Sequence, residues 1–141
     1  MGIQAFMGMN QVSLQPDTAQ KRAFILVVED ELLVRMMVSD ALREAGFDVI
    51  EAINADEAIS ILHSGVTIDL MLSDVRMPGS MDGLGLLNYS MGKFPTLPVI
   101  MTSGHLLPSD ALAKGARHFL EKPYGFDDAV AVIELELAKS R

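Results

Sequence analysis

The 141-residue chain contains no cysteine. That excludes disulfides, thiolate metal sites and thiol nucleophiles, and it makes the cytoplasm the expected compartment. Positive charge is scarce as well: 11 Lys and Arg face 19 Asp and Glu, for a formal net charge of −8. Nucleic acid binding is driven by Lys and Arg displacing counterions from phosphates, so no nucleic acid partner is expected. Long apolar runs are also missing. The stretch from Ala23 to Val28 falls far short of a bilayer span, and the N-terminus lacks a basic region followed by a sustained apolar one. Neither a membrane anchor nor a signal peptide is expected.

Half of the residues are apolar, enough for one sizeable core, and the length is too small for two ordinary domains. Residues 1–22 are rich in Met, Gln and Gly, carry the turn signal Pro16-Asp17 and show no sustained period; they read as a flexible leader ahead of one domain over 23–139. From Ala23 onward, short β-rich runs alternate five times with longer helical patterns, which predicts an α/β domain built on a parallel sheet.

The unbroken apolar run Phe24 to Val28 predicts a first strand buried on both faces. A helix from about Glu31 to Ala45 should follow, with Val34, Met37, Val38, Ala41, Leu42 and Ala45 inward and Gly46 as its left-handed cap. A short strand near Val49-Ile50 leads to Asn54, whose side chain can cap a helix while Glu57 reaches back; Ala55, Ala58, Ile59 and Leu62 form its stripe. A third strand, Ile68 to Ser73, should end at Asp74, with Met77-Pro78-Gly79 forcing a loop before a helix over roughly Leu84 to Lys93. Val99 to Thr102 and about His118 to Leu120 read as the last strands, separated by a short helix near Ser109 to Lys114 that Gly115 ends. The final helix begins after Pro123, with Phe126, Val130, Ile133 and Leu137 at helical spacing.

In an open parallel sheet the ligand site lies beyond the carboxyl ends of the strands. Those ends carry Glu29 and Asp30, then Asp74, Ser103 and Lys122. Singly, each has a plain explanation as a cap or a solvated turn residue. Together they do not, because gathered carboxylates repel by about 4 kcal/mol per pair at ~4 Å and an effective dielectric of ~20. Such a cluster calls for a cation. Its all-oxygen donors favour a hard divalent ion, Mg²⁺ where a phosphate completes the shell. Phosphoryl transfer needs in-line placement of a nucleophile and neutralisation of the equatorial oxygens. Asp74 can serve as nucleophile, with Mg²⁺ held by Asp30 and Asp74 and aided by Glu29; Lys122 and the Ser103 hydroxyl meet the remaining oxygens.

The segments Leu26-Val27-Val28-Glu29-Asp30-Glu31, Ser73-Asp74-Val75-Arg76-Met77-Pro78-Gly79, Thr102-Ser103-Gly104 and Glu121-Lys122-Pro123-Tyr124 resemble, in order and spacing, the four signature segments of response-regulator receiver domains. The resemblance runs from about Phe24 to Leu137, and the four segments are specific jointly rather than singly. It implies a flavodoxin-like fold of strand order 2-1-3-4-5, Mg²⁺ dependence, and phosphorylation of Asp74 by the phospho-His of a sensor histidine kinase or histidine phosphotransfer protein. It further implies Glu29, Asp30, Asp74 and the Arg76 backbone carbonyl as metal ligands, Ser103 and Phe119 as a switch pair, and a cis Lys122-Pro123 bond. The sequence ends four residues after Leu137, which reads as no room for an effector module and so as a stand-alone receiver acting on another protein or passing its phosphoryl group on. The resemblance admits a homodimer.

Three positions depart from the family. Glu29 stands where Asp is more usual, so its carboxylate reaches further and can contact the metal through water. Arg76 and His105 flank the phosphoryl position and offer no carboxylate or amide to orient an attacking water, which predicts a phosphoryl lifetime of minutes or longer. Ser103 and Lys122 lie 19 positions apart, fewer than receivers usually have, so the fourth helix, part of the family's common dimer and partner face, should be short.

Plainer readings suffice elsewhere. His63, His105 and His118 have no ligand spacing and read as surface or boundary residues, while Met37, Met71 and Met101 read as core filler. Asp127-Asp128 complements the dipole of the last helix. Three rival functions fit less well. A haloacid-dehalogenase-like phosphatase would resemble its family in a second Asp two residues after the nucleophile, where this chain has Arg76. A flavodoxin-type cofactor binder needs phosphate donors where Glu29-Asp30-Glu31 would repel an anion. A receiver fold relieved of phosphorylation has no need to keep Asp30, Asp74, Ser103 and Lys122 together.

Overall fold

The computed structural model describes residues 22–104 and 108–139. Five strands, β1 (Phe24–Val28), β2 (Asp48–Ala52), β3 (Leu70–Asp74), β4 (Val99–Ser103) and β5 (His118–Glu121), alternate with five helices. The helices are α1 (Leu32–Glu44), α2 (Ala55–His63), α3 (Gly83–Lys93), α4 (Pro108–Ala113) and α5 (Phe126–Ala138). All strand pairs are parallel in the order β2-β1-β3-β4-β5, the expected flavodoxin-like arrangement. Order reverses between β1 and β3, so their carboxyl ends frame the crevice where such sheets place their ligands.

Strand residues alternate between two cores. Leu26, Val28, Met71, Val99 and Met101 pack with Ala58, Leu62, Leu86 and Ala111 under α2, α3 and α4. Ile25, Val27, Leu72 and Ile100 pack with Val38, Leu42, Ala129 and Ile133 under α1 and α5. Burial on both faces is what an unbroken apolar strand demands.

Local signals act as their chemistry predicts. Gly46 and Gly115 take φ of 100° and 110°, the left-handed conformation that glycine adopts without steric cost. Asn54 Oδ1 accepts the Glu57 N–H at 2.8 Å, and the Glu57 carboxylate reaches back to the N–H of Ile53, also at 2.8 Å. Strand β3 starts at Leu70, two residues later than its composition predicts. Asp69 is occupied instead in a reciprocal pair with Phe24, its N–H donating to the Phe24 carbonyl and its carboxylate accepting the Phe24 N–H, both at 2.8 Å.

The stripe of α1 departs from expectation. Met37 is 54% exposed and Ala45 also faces solvent; Val38, Ser39 and Leu42 are the buried positions. Leu32, Leu33 and Met36 are exposed beside Met37, so apolar side chains occur all round the first two turns and periodicity alone does not choose a face. Met71 and Met101 are fully buried core residues as expected. Helix α4 is six residues long, the shortening that the spacing implied. Among the described residues no helix is long and apolar enough to cross a membrane.

Candidate functional site

Each candidate side chain is placed by the carboxyl end of a strand. Strand β1 delivers Glu29 and Asp30, β3 ends on Asp74, β4 ends on Ser103, and Lys122 follows β5 directly. The Lys122-Pro123 bond is cis, as the resemblance implied. Asp30, Glu31, Asp74, Arg76, Ser103, Gly104 and Lys122 line one cleft of about 390 Å³. Glu29 is buried next to it, at 3% exposure.

One carboxylate oxygen each from Glu29, Asp30 and Asp74 lies within 4.8 Å of the others. These are hard oxygen donors with no imidazole or thiolate among them, the donor set of Mg²⁺ rather than of a softer ion. The residues therefore fit the ion that the cluster implied. Asp30 is exposed and Asp74 is buried, so the cluster opens to solvent on one side only.

Lys122 bridges two of these acids. Its ammonium donates to Glu29 Oε1 at 2.9 Å and to Asp74 Oδ2 at 3.2 Å. Burial pushes the Glu29 and Asp74 carboxyls above their ordinary range; the Lys122 hydrogen bonds, together with backbone N–H groups of Glu31 on the one and of Arg76 and Val75 on the other, only partly offset it. Burial alone would lower the Lys122 ammonium, but its two acidic partners hold it above its usual value. The triad is thus a compact, mostly desolvated charge cluster with one fixed cation.

Sequence reasoning missed three contributors. Tyr124 lies close enough to the acids for burial and their charge to push its hydroxyl up to about 12. Arg35 donates to the Glu29 carbonyl at 3.0 Å while pairing with Glu51 at 3.1 Å, which fixes the backbone from which Glu29 and Asp30 project. Gly83 opens α3 with its N–H on the Val75 carbonyl at 2.8 Å. A Cβ there would overlap the Asp74 carbonyl oxygen and come within 2.7 Å of Val75 Cα. The dipeptide Asp82-Gly83 after a Pro-Gly loop was the available signal for Gly83, and Tyr124 ends the last of the four signature segments without being given a role there; nothing local marks Arg35.

Phe119 lies on β5 opposite Met101, half-buried against the α2–α4 core and outside the cleft lining. His105 lies outside the described residues. His63 is exposed and meets the Tyr89 hydroxyl at 2.7 Å; His118 pairs with Glu136 at 3.1 Å, a boundary position as expected.

A sheet of this order with acids, a hydroxyl and a lysine at its carboxyl edge defines a class, and comparison with known proteins gives the same class. Residues 25–134 match the family model described as response regulator receiver domain. The chain belongs to that family. It is 38% identical over 117 residues to the DNA-binding transcriptional regulator NtrC of Salmonella typhimurium, covering 81% of this chain and 24% of that protein. A putative response regulator, NtrX-like, from Rickettsia felis is 32% identical over 114 residues, 78% of this chain and 24% of the relative. The crystal structure of the receiver domain of NtrX from Brucella abortus matches with a TM-score of 0.76 at 35% identity, covering 81% of this chain and 98% of that one. A CheY-like receiver from Methanospirillum hungatei has a TM-score of 0.78 at 24% identity, covering 84% of this chain and 96% of that one, a likeness of fold. The chain spans about a quarter of the length of the curated relatives it matches.

Proposed function

We propose that this chain is the receiver of a two-component phosphorelay response regulator, in which Asp74 accepts a phosphoryl group from the phospho-His of a sensor histidine kinase or a histidine phosphotransfer protein. The observation that carries the reading is the convergence of Asp30, Asp74, Ser103 and Lys122 on one cleft. An Asp74 carboxylate oxygen attacks phosphorus in line with the donor's P–N bond. That bond breaks with its electrons going to the imidazole nitrogen, and an acyl phosphate forms on Asp74. Lys122 neutralises one phosphoryl oxygen and the Ser103 hydroxyl donates to another. Asp30, Asp74 and the Arg76 carbonyl would hold Mg²⁺, with Glu29 beside them; when bound, the ion supplies charge neutralisation on the transferring group.

The chain is a phosphoacceptor rather than an enzyme acting on a separate substrate, and its place is the cytoplasm. The match covers about a quarter of its relatives named as DNA-binding, and the net charge of −8 here gives no support to nucleic acid binding by this domain. Signalling follows from a two-state equilibrium biased by the phosphoryl group, with Ser103 and Phe119 as the switch pair and a protein partner that prefers one state. The exposed apolar side chains Leu32, Leu33, Met36 and Met37, on the first two turns of α1, offer such a partner an apolar contact.

The test uses the chain by itself. With Mg²⁺ and beryllofluoride, amide NMR shifts should appear around Asp74, Ser103 and Phe119 in wild type and vanish in Asp74→Ala. The same shifts in both proteins would refute the proposal.

A further inference from the structure

We propose that Arg22 and Arg43 close the outer edge of β2 against pairing with a second copy of this chain, so that any homodimer must form through another face. Strand β2 ends the sheet, and among the described residues no strand lies beyond it. Its backbone serves β1 at alternate residues: the Asp48 N–H donates to the Ala23 carbonyl at 2.9 Å, and the Ala52 carbonyl accepts the Glu29 N–H at 3.0 Å. Val49 and Glu51 therefore turn their backbone groups outward. An open edge of this kind is a template for another strand. A second β2 laid antiparallel on it would obey two-fold symmetry and join two five-stranded sheets into one.

The arginines occupy acceptors along that edge. Arg43 reaches over from α1 and donates to the Val49 carbonyl at 3.3 Å, and Arg22 donates to the Phe47 carbonyl, just ahead of the strand, at 3.3 Å. Acids of β2 itself hold both guanidinium groups in place. Arg22 pairs with Asp48 at 3.2 Å and Arg43 with Glu51 at 3.4 Å, while Arg35 takes the other Glu51 oxygen at 3.1 Å and Asp40 flanks Arg43 at 3.7 Å. The fixed fork of a guanidinium suits this double duty, since one group can hold a carboxylate and a carbonyl at once. An incoming strand would have to displace these cations and leave Asp48 and Glu51 without them. Overall charge gives no such protection by contact: copies of net charge −8 repel one another, but salt screens that repulsion over about 8 Å at physiological ionic strength. The two effects differ in sign. Replacing both arginines by Met makes the chain more negative, so repulsion alone predicts weaker association, whereas an uncovered edge predicts stronger.

The experiment compares wild type with the double variant Arg22→Met, Arg43→Met and with Lys93→Met, which removes a positive charge at the exposed end of α3, away from β2. Sedimentation velocity over a concentration series reads association, and amide hydrogen exchange reads the edge itself. The double variant should associate at least about tenfold more tightly than wild type. Its Val49 and Glu51 amides should exchange more slowly as concentration is raised, because they pair with the second copy. Wild type and Lys93→Met should show neither change. Association of the double variant no tighter than wild type, association that leaves the Val49 and Glu51 amides exchanging as before, an equal gain in Lys93→Met, or concentration-dependent protection of those amides already in wild type would each overturn the proposal. Far-UV circular dichroism checks that the double variant folds; if it does not, Arg43→Met alone, which keeps Arg22 on Asp48, decides the matter by the same two readouts.

Discussion

Removing the Lys122 ammonium that bridges Glu29 and Asp74 tests the electrostatics of the acidic cleft most sharply. In Lys122→Met the Glu29 and Asp74 carboxylates lose partners at 2.9 and 3.2 Å. Each contact corresponds to about 5 kcal/mol of attraction at an effective dielectric of ~20. The ammonium regains hydration on unfolding and its side chain is 24% exposed, so the net loss is much smaller. Breaking a buried pair by removing one partner costs ~3–5 kcal/mol, and solvent screening here brings the expectation to about 3 kcal/mol. Asp74→Asn should act in the opposite direction. Its folded pKa is raised, so the fold is favoured below the ordinary carboxylate value and loses that advantage as pH rises through the raised one. An amide has no charge to bury, so Asp74→Asn should be more stable than wild type at neutral pH and equal to it in acid. In the double variant the lysine deletion should cost about 1–2 kcal/mol less than it does alone. Urea midpoints at constant slope, without Mg²⁺ and at two pH values, give all four corners of the cycle. Adding Mg²⁺ at about a hundred times its Kd should contribute ~2.7 kcal/mol to wild type and little to Asp30→Asn. Strict additivity of the two substitutions, within ~0.5 kcal/mol, would refute the electrostatic reasoning.

Gly83→Ala should destabilise by about 1–3 kcal/mol and slow phosphorylation, because its Cβ meets backbone of the acceptor strand. Gly85→Ala meets the flexible Met81 side chain at 2.6 Å and Asp82 Oδ1 at an ordinary 3.5 Å, with no backbone among its near contacts, and serves as the mild control; equal effects of the two on the labelling rate would contradict this. Glu136, 1% exposed on α5, accepts from Arg117 at 2.7 Å, His118 at 3.1 Å and Lys139 at 3.2 Å. Burial alone would raise its carboxyl, but the hydrogen bonds and charges of Lys139 and Arg117 prevail and hold it below the usual value. Glu136→Gln should therefore cost roughly 1–2 kcal/mol at neutral pH, a difference that disappears as acid protonates the wild-type carboxylate; urea melts across pH check both magnitude and sign. Since Arg76 and His105 carry no carboxylate or amide, the phosphoryl group should persist for minutes or longer, and loss of label within seconds in Mg²⁺ would remove that expectation.

The fold was largely legible because apolar runs and their punctuation are local. Phe24–Val28 and Val99–Ser103 are buried throughout or nearly so, and Gly46 and Gly115 stop helices through their own φ. Errors arose where a choice depends on a distant partner. Met37 and Val38 are equally apolar, and only packing against α5 and the sheet decides which one is buried. Strand β2 reaches from Asp48 to Ala52 although Asp48 and Glu51 look polar, because Arg22, Arg35 and Arg43 pair with them from outside the strand. Glu136 falls one position before an expected apolar one and is buried against Arg117 and the His118 ring, contributed from the approach to β5 and from β5 itself. The cleft itself was readable residue by residue, since parallel topology alone carries strand ends to one edge. Its internal pairing was not readable, because Glu29 and Lys122 are 93 residues apart and only their coordinates reveal the 2.9 Å contact.

The central claim stands on where phosphorus attaches. Wild type exposed to acetyl phosphate and Mg²⁺, then reduced with borohydride to convert any acyl phosphate to homoserine, should yield that conversion at position 74 alone on peptide mass spectrometry. Conversion at another acid, or an unmodified Asp74 in a folded and Mg²⁺-bound protein, would contradict it.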